Sequence, residues 1–96
     1  MTLNDLEQHV ADTVIRYERE TGHAAIRTRE MIQNVGVVEA LSKLMVSADL
    51  QQGFRVLRDK YLLNHTFEHI VVHNPSFFKP DIVECAQWRL DNPNRS

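Results

Sequence analysis

The sequence predicts an all-α protein, a compact orthogonal array of five or six short helices in a single domain. Apolar residues recur at helical spacing in every segment that has a clear period, and no strand-like alternation persists for more than a few positions. The chain of 96 residues, of which 43% are hydrophobic, has the size of one small domain. We assign residues 1–91 to that domain and expect residues 92–96 to form a frayed C-terminal tail.

The first helix is predicted over residues 3–21. Thr2 precedes it as an N-cap, and Asp5 lies three residues later, where an acidic group meets the positive end of the helix dipole. Gly22 follows the last turn, a position at which glycine commonly ends a helix. The apolar face of this helix comprises Leu3, Leu6, Val10, Val14 and Tyr17.

Two shorter helices are predicted on either side of Gly36. Thr28 is expected to cap the first, and the second is expected to end near Ser47. A single helix kinked at Gly36 is the alternative. Because glycine inside a helix costs about 1 kcal/mol relative to alanine, the sequence favours two helices. The apolar positions of the second are Val37, Val38, Leu41, Leu44 and Met45.

Three further helices are predicted in the second half of the chain. Asp49 and Gln52 form a D-x-x-Q capping box that opens the first of them. Thr66 is expected to cap a short helix that ends at residues 73–75, and Pro80 occupies the first position of the last helix. The predicted inner faces are Leu50, Phe54, Leu57 and Tyr61 in the fourth helix, and Ile82, Val83, Ala86 and Leu90 in the last.

Composition excludes several classes of protein. The formal net charge is only −2, and acidic and basic residues are interleaved without a charged tail, so no polyanionic or polycationic partner is indicated. A single cysteine excludes an internal disulfide framework and a four-cysteine zinc site. No run approaches the ~20 apolar residues that span a bilayer, and the N-terminus lacks the layout of a signal peptide. We therefore expect a cytoplasmic protein that does not bind membranes.

A histidine-rich string suggests one kind of chemistry. Residues 65–69 match H-x-x-E-H, the inverted zinc-protease motif, and His73 continues the spacing of four from His65 and His69. However, Thr66 is better suited to a helix cap, which would leave His65 outside the helix. Such proteases also need a further carboxylate ligand and a substrate cleft, usually far along a larger chain, whereas 27 residues follow His69 here. We expect no cofactor and no peptidase activity, and keep a metal site at the three histidines as an alternative.

A second alternative is nucleic-acid binding. The helices on either side of residues 47–49 resemble a helix-turn-helix in length, and the helix over residues 49–60 would be the reading helix. Against this, the glycine usually found in the turn is missing, Gly53 lies inside the presumed reading helix, and the net charge is slightly negative. The side chains that this helix would present to base edges and phosphates are Gln51, Gln52, Arg55 and Arg58.

Aromatic residues near the C-terminus favour an interaction module instead. Phe77, Phe78 and Trp88 would form an apolar patch, and aromatic side chains are enriched at the centres of protein interfaces. Cys85, by contrast, has neither a glycine elbow nor a histidine at fixed spacing, so nothing indicates a catalytic nucleophile. The sequence thus predicts a non-enzymatic module that binds a protein partner or a second copy of itself as a homodimer.

Four short motifs follow one another between Gly36 and Leu90. They are Gly36-Val37-Val38-Glu39-Ala40, then Gly53-Phe54-x-x-Leu57, then Leu63 with Thr66-Phe67-Glu68 and Val71, and finally Phe78 with Ala86, Arg89 and Leu90. Through them a little over half of the chain resembles a loose group of small uncharacterised bacterial all-helical proteins. The resemblance implies a helical fold, a bacterial cytosolic setting and a mobile gene context, and it supplies no catalytic residues. His65 and His69 lie outside the matching positions, which weakens the metal alternative.

Overall fold

Six α-helices make up most of the chain in the computed structural model, which describes residues 2–46 and 51–95. No β-strand occurs within those two ranges. The radius of gyration is 12.1 Å, close to the ~12–13 Å expected for a compact domain of this length. The prediction of a compact all-α fold is therefore confirmed. The helices are α1 (Leu3–Thr21), α2 (Ile26–Val35), α3 (Val37–Met45), α4 (Gln51–Asp59), α5 (Phe67–His73) and α6 (Pro80–Asp91).

Local residues set both ends of α1, as predicted. The hydroxyl of Thr2 accepts a hydrogen bond from the Asp5 backbone N–H at 3.2 Å, and the Thr2 N–H donates to the Asp5 carboxylate at 3.0 Å. This reciprocal capping box satisfies two N–H groups that the first turn leaves unpaired. At the other end Gly22 has a φ of 72°, and its N–H donates to the Glu18 carbonyl.

The start of α2 differs from the prediction. Thr28 lies inside the helix, 8% exposed, and does not cap it. No side chain caps the first amides of α2. Instead, Glu18 of α1 holds the N-cap residue Ala25, because its Oε2 accepts hydrogen bonds from the Ala25 N–H at 2.7 Å and from Arg29 Nε at 3.0 Å. The local sequence around residue 28 does not reveal this contact.

Because of the contact of Glu18 with Arg29 and Ala25, the free energy of unfolding should depend on pH in the acid range. The side chain of Arg29 and the backbone N–H of Ala25 lower the pKa of Glu18 from 4.5 to about 2. Because the folded pKa is depressed, the stability that Glu18 supplies is present above pH 4.5 and is lost as the pH falls towards about 2. We expect Glu18→Gln to flatten this part of the stability curve in urea unfolding at a series of pH values. Glu7→Gln, at an exposed position of α1, is the control; equal curves for wild type and Glu18→Gln would contradict the assignment.

Gly36 separates α2 from α3, so the prediction of two helices is confirmed. Its φ of 84° and ψ of 166° belong to a region that is essentially restricted to glycine. The Gly36 N–H donates to the Ile32 carbonyl at 2.9 Å, and its own carbonyl accepts from the Ala40 N–H at 3.0 Å. One residue thus ends one helix and begins the next. A Cβ at this position would point into open space, with no neighbour within 4 Å, so backbone conformation rather than crowding requires the glycine.

The predicted junction between α3 and α4 falls mostly outside the described residues. Helix α3 ends at Met45, before the predicted end near Ser47. The Asp49–Gln52 capping box and the inner position Leu50 cannot be placed, because they lie outside the described residues and side chains. Phe54 and Leu57 are buried as predicted, at 3% exposure each.

The way in which α4 ends places one predicted core residue, Tyr61, outside the core. The Leu62 N–H donates to the Leu57 carbonyl at 2.8 Å, and the Tyr61 N–H donates to the Arg58 carbonyl at 2.9 Å. These two bonds are those of a Schellman motif, in which the residue at the Tyr61 position adopts a left-handed conformation. Tyr61 has a φ of 61° and is 94% exposed. It is therefore not on the inner face of α4, because the helix has already ended.

Replacing Tyr61 with glycine should stabilise the protein. A left-handed conformation costs a residue with a Cβ about 1–2 kcal/mol, and the greater freedom of glycine in the unfolded chain offsets part of the gain. We expect Tyr61→Gly to raise the free energy of unfolding by about 0.5–1 kcal/mol in urea titrations. Lys60→Gly, at a neighbouring position without a positive φ, should lower it. A destabilised Tyr61→Gly variant would show that the tyrosine side chain contributes more than its conformation costs.

The core is formed by side chains from α1, α3, α5 and α6. In α5 the hydroxyl of Thr66 accepts from the His69 N–H at 3.2 Å, and in α6 Pro80 is the first residue, as predicted for both helices. Ile82 and Ala86 are buried, whereas Leu90 is half-buried and Arg89 lies inside in its place. The buried core cluster comprises Leu6, Val10, Val14, Val37, Leu41, Leu44, Met45, Ile70, Val71, Phe78, Ile82 and Ala86.

The C-terminal segment makes a contact with α4. Within the segment expected to fray, Pro93–Arg95 form a single 3₁₀ turn. The Pro93 carbonyl accepts a hydrogen bond from Arg58 Nη1 at 2.8 Å. The last described residues are thereby joined to the final turn of α4.

Candidate functional site

Only part of the predicted aromatic surface is exposed to solvent. Phe78 is 8% exposed and belongs to the core cluster; its own backbone is extended between the 3₁₀ turn Pro75–Phe77 and α6. Phe77 is half-buried against the same core. Trp88 is 50% exposed on α6. The inclusion of Phe78 in the contact surface was therefore wrong, and Trp88 is the member of the predicted set that solvent reaches most.

Trp88 lies in a row of acidic side chains on α6. Residues at spacings of three, four and seven share one face of a helix, and Asp81, Glu84, Trp88 and Asp91 have such spacings. All four are exposed. The buried residues of α6, Ile82, Ala86 and Arg89, lie on the opposite side. We call this row the α6 stripe: one tryptophan among three carboxylates, with no cationic residue in the row.

The three histidines of the H-x-x-E-H region are not arranged as a metal site. His69 and His73 stack with their ring centroids 3.9 Å apart, an arrangement in which the in-plane lone pairs run side by side rather than meeting at one point. His73 Nδ1 donates to the His69 carbonyl at 2.9 Å, and Nε2 of His65 accepts from the cationic Arg16 side chain at 3.3 Å. Within residues 2–46 and 51–95, no three His, Cys, Asp or Glu side chains are grouped to hold a metal ion. The three histidines therefore do not converge on one point in this structure, and the metal alternative stays a prediction.

Burial affects both the titration of His69 and the position of Glu68 in this string. Partial burial, followed by the neighbouring charges of His73 and His65, lowers the pKa of His69 and so favours its neutral form. Glu68, which the motif would use as a general base, faces the core instead. The string of residues 65–69 is thus a helix start in which Thr66 supplies the cap and Glu68 supplies a buried charge.

Arg58, one of the four residues proposed for nucleic-acid contact, is engaged elsewhere in the fold. Arg58 is half-buried, donating to the Pro93 carbonyl through Nη1 and to the Asp59 carboxylate through Nε at 2.9 Å. Arg55 is exposed. The side chains of Gln51 and Gln52 lie outside the described part of the chain. Nucleic-acid binding by this helix stays a prediction, without Arg58 as a free phosphate contact.

A buried ion pair joins α5, α6 and α3, and sequence reasoning missed it. Arg89 Nη1 donates to Glu68 Oε2 at 2.9 Å, and Nη2 donates to the Met45 carbonyl at the end of α3 at 2.8 Å. Glu68 is 3% exposed and Arg89 is 5% exposed. Burial raises the pKa of Glu68, and the hydrogen bond from Arg89 opposes that rise. Glu68 looked like a surface acid in a first helical turn, and nothing local distinguishes it from one.

The same ion pair borders a cavity of about 290 Å³. The cavity lies among α1, α3, α4, α5 and the start of α2. Exposed residues at the start of α2, among them Ala24, Ile26 and Arg27, line its outer part, and buried residues line its inner part. The inner wall combines apolar side chains with the carboxylate of Glu68. The aromatic members of the lining are Tyr17, Phe54 and Phe67.

Comparisons with protein-family models, with curated proteins and with solved structures found no match to this chain. Among the helices in the described ranges, none combines the length and the apolar character that crossing a bilayer requires. In the part of the chain that the structure describes, the α6 stripe is an exposed row of side chains and the cavity is a lined hollow.

Proposed function

We propose that the protein is a non-enzymatic interaction module of the bacterial cytoplasm that binds a basic partner protein through the α6 stripe. The observation that supports this proposal is the position of Trp88, half-exposed in the middle of three exposed carboxylates. Tryptophan is one of the residue types enriched among side chains that dominate binding energy. Its neighbours would form the polar rim that surrounds such an anchor.

The charge of the stripe argues for a basic partner over a second copy. In a two-fold symmetric dimer the same patch contacts itself, so a dimer centred on Trp88 would bring Glu84 and Asp91 of one copy against acidic residues of the other. Like charges placed together at an interface are strongly unfavourable. A partner with lysine or arginine beside an apolar pocket or side chain would instead pair with the carboxylates and cover Trp88.

The proposal is tested by selecting peptides from a random phage-displayed library on the immobilised wild-type protein. We expect the selected peptides to be enriched in lysine and arginine around an apolar residue. Synthetic copies should bind Trp88→Ala at least ~10-fold more weakly than wild type, because an interface hot spot is worth about 2 kcal/mol or more. Binding should also weaken as salt is added, since the charged rim is exposed.

Tyr61→Ala is the matched control, because it removes another exposed aromatic side chain from a different element. It should leave peptide binding unchanged. Selected peptides without basic residues, or equal binding to wild type and Trp88→Ala, would contradict the proposal. Light scattering tests the alternative, a homodimer. A concentration-dependent dimer that Trp88→Ala abolishes would establish self-association and overturn the preference for a basic partner.

A further inference from the structure

The cavity beside the Glu68–Arg89 ion pair has the dimensions of a small-molecule site. Its volume is about 290 Å³, whereas an engineered protein cavity of ~150 Å³ lined by Leu, Ile and Phe accommodates benzene. A ligand of about two fused rings would therefore fill it. The cavity is also reachable, because residues at the start of α2 that line it are exposed to solvent. It does not include Trp88, so it is distinct from the α6 stripe.

The walls of the cavity favour flat apolar ligands. Phe54 is 3% exposed, and Tyr17 and Phe67 are half-buried, so three aromatic rings from three different segments border the space. Aromatic side chains gain offset-stacked and edge-to-face contacts with a ring beyond the burial of area alone. Leu44 and Met45, both 1% exposed, complete the apolar lining at the end of α3.

The polar groups in the wall select against charged ligands. Arg27 in the outer part is exposed to water, whereas the charged residues of the inner wall, Glu68 and Arg89, are paired with each other at 2.9 Å. The inner wall therefore offers no uncompensated charge to an ionised ligand. Moving an ion into such a site without a partner is costly. A carboxylate, however, has up to four acceptor positions, so the Glu68 carboxylate that accepts from Arg89 can accept a further hydrogen bond from a ligand.

From this combination of size, lining and charge we propose that the cavity binds an uncharged, bicyclic-sized aromatic molecule that carries one hydrogen-bond donor directed at Glu68. Ligand pockets generally have this composition: mostly apolar walls and a few polar groups that fix orientation. The ligand class is thus defined by three properties, namely an aromatic body, the absence of charge and a single N–H or O–H group.

Calorimetric titration of the full-length wild-type protein with indole tests the proposal, with benzofuran as the comparison probe. The two compounds have nearly the same shape, but benzofuran has an oxygen in place of the N–H. We expect indole to bind with a Kd below about 1 mM and benzofuran to bind at least ~10-fold more weakly, because the Glu68 acceptor then loses its donor. Saturable binding of indole should also raise the Tm in proportion to the occupancy.

Two variants locate the site without touching the ion pair. Ala24→Trp places a bulky side chain at the outer part of the cavity and should weaken indole binding at least ~10-fold. Ala11→Trp is the matched control, an exposed alanine of α1 that borders a separate hollow, and should leave indole binding unchanged. No indole binding, equal affinity for benzofuran, or equal binding to wild type and Ala24→Trp would each overturn the proposal. None of these results bears on peptide binding by the α6 stripe.

Discussion

Arg89→Met is expected to lower the free energy of unfolding by about 3–5 kcal/mol. Removing one member of a buried ion pair leaves the other charge without compensation, which costs about this much. Here Glu68 is 3% exposed, and the Met45 carbonyl would also lose the donor at 2.8 Å. Because small domains are stable by only about 5–15 kcal/mol, this single change should bring the protein close to unfolding. Urea titration followed by circular dichroism measures the loss.

The double variant Glu68→Leu/Arg89→Met separates a lost charge pair from lost packing. Replacing both members of a buried pair with apolar residues is often neutral or stabilising. We therefore expect the double variant to recover most of the stability that Arg89→Met loses. Lys60→Met, which breaks the more exposed and longer Lys60–Glu20 ion pair at 3.7 Å, is the control and should have a much smaller effect. A double variant no more stable than Arg89→Met would show that the pair does not act as a unit.

The cost of Arg89→Met should also depend on pH. Burial raises the pKa of Glu68 in the folded protein above its ordinary value of 4.5, and Arg89 is the group that opposes this rise. A raised pKa of an acid means that its relative stabilisation is present below pH 4.5 and is lost as the pH rises through the folded value. Unfolding of Arg89→Met at about pH 4 and about pH 7 should therefore show the smaller loss at the lower pH. Equal losses at the two values would contradict a buried, unpaired carboxylate.

Leu6→Ala should cost about 2–5 kcal/mol in the free energy of unfolding. Leu6 is fully buried at 0% exposure in the core face of α1, so truncation removes apolar burial and leaves a cavity. Leu3→Ala, one turn earlier on the same helix, is the matched control because Leu3 is 50% exposed. We expect it to change stability by no more than about 0.5 kcal/mol. Thermal unfolding should show a Tm loss of at least ~8 °C for Leu6→Ala, and similar losses for both variants would contradict the packing of α1.

The helix ends that local chemistry determines were predictable from sequence. The Thr2–Asp5 box, the Thr66 cap and the break at Gly36 each depend on residues within a few positions of one another. The start of α2 was not predictable in this way, since no side chain caps it and the backbone N–H of its N-cap residue, Ala25, donates to Glu18, seven residues earlier. Tyr61 was mispredicted for a different reason. The Schellman motif that ends α4 usually has glycine at its left-handed position, but here that position is a tyrosine.

The candidate sites likewise differ in whether they depend on local sequence or on contacts between distant residues. The α6 stripe could be predicted from sequence, because the spacing of Asp81, Glu84 and Trp88 is helical. The predicted surface instead grouped Trp88 with Phe78, because both are aromatic. Phe78 lies in an extended conformation between two helical segments, so no helical periodicity predicts whether its side chain is buried. The Glu68–Arg89 pair spans 21 positions and the Arg89–Met45 contact spans 44, so neither leaves a local pattern.

The buried ion pair has an evolutionary consequence. A gene acquires substitutions one at a time, and loss of either Glu68 or Arg89 alone passes through a protein with an uncompensated buried charge. Joint replacement by apolar residues carries no such penalty. Positions 68 and 89 should therefore change together during divergence, even though they are far apart along the chain. A set of diverged descendants of this gene would show covariation at these two positions, against independent drift at more exposed pairs such as Glu20 and Lys60.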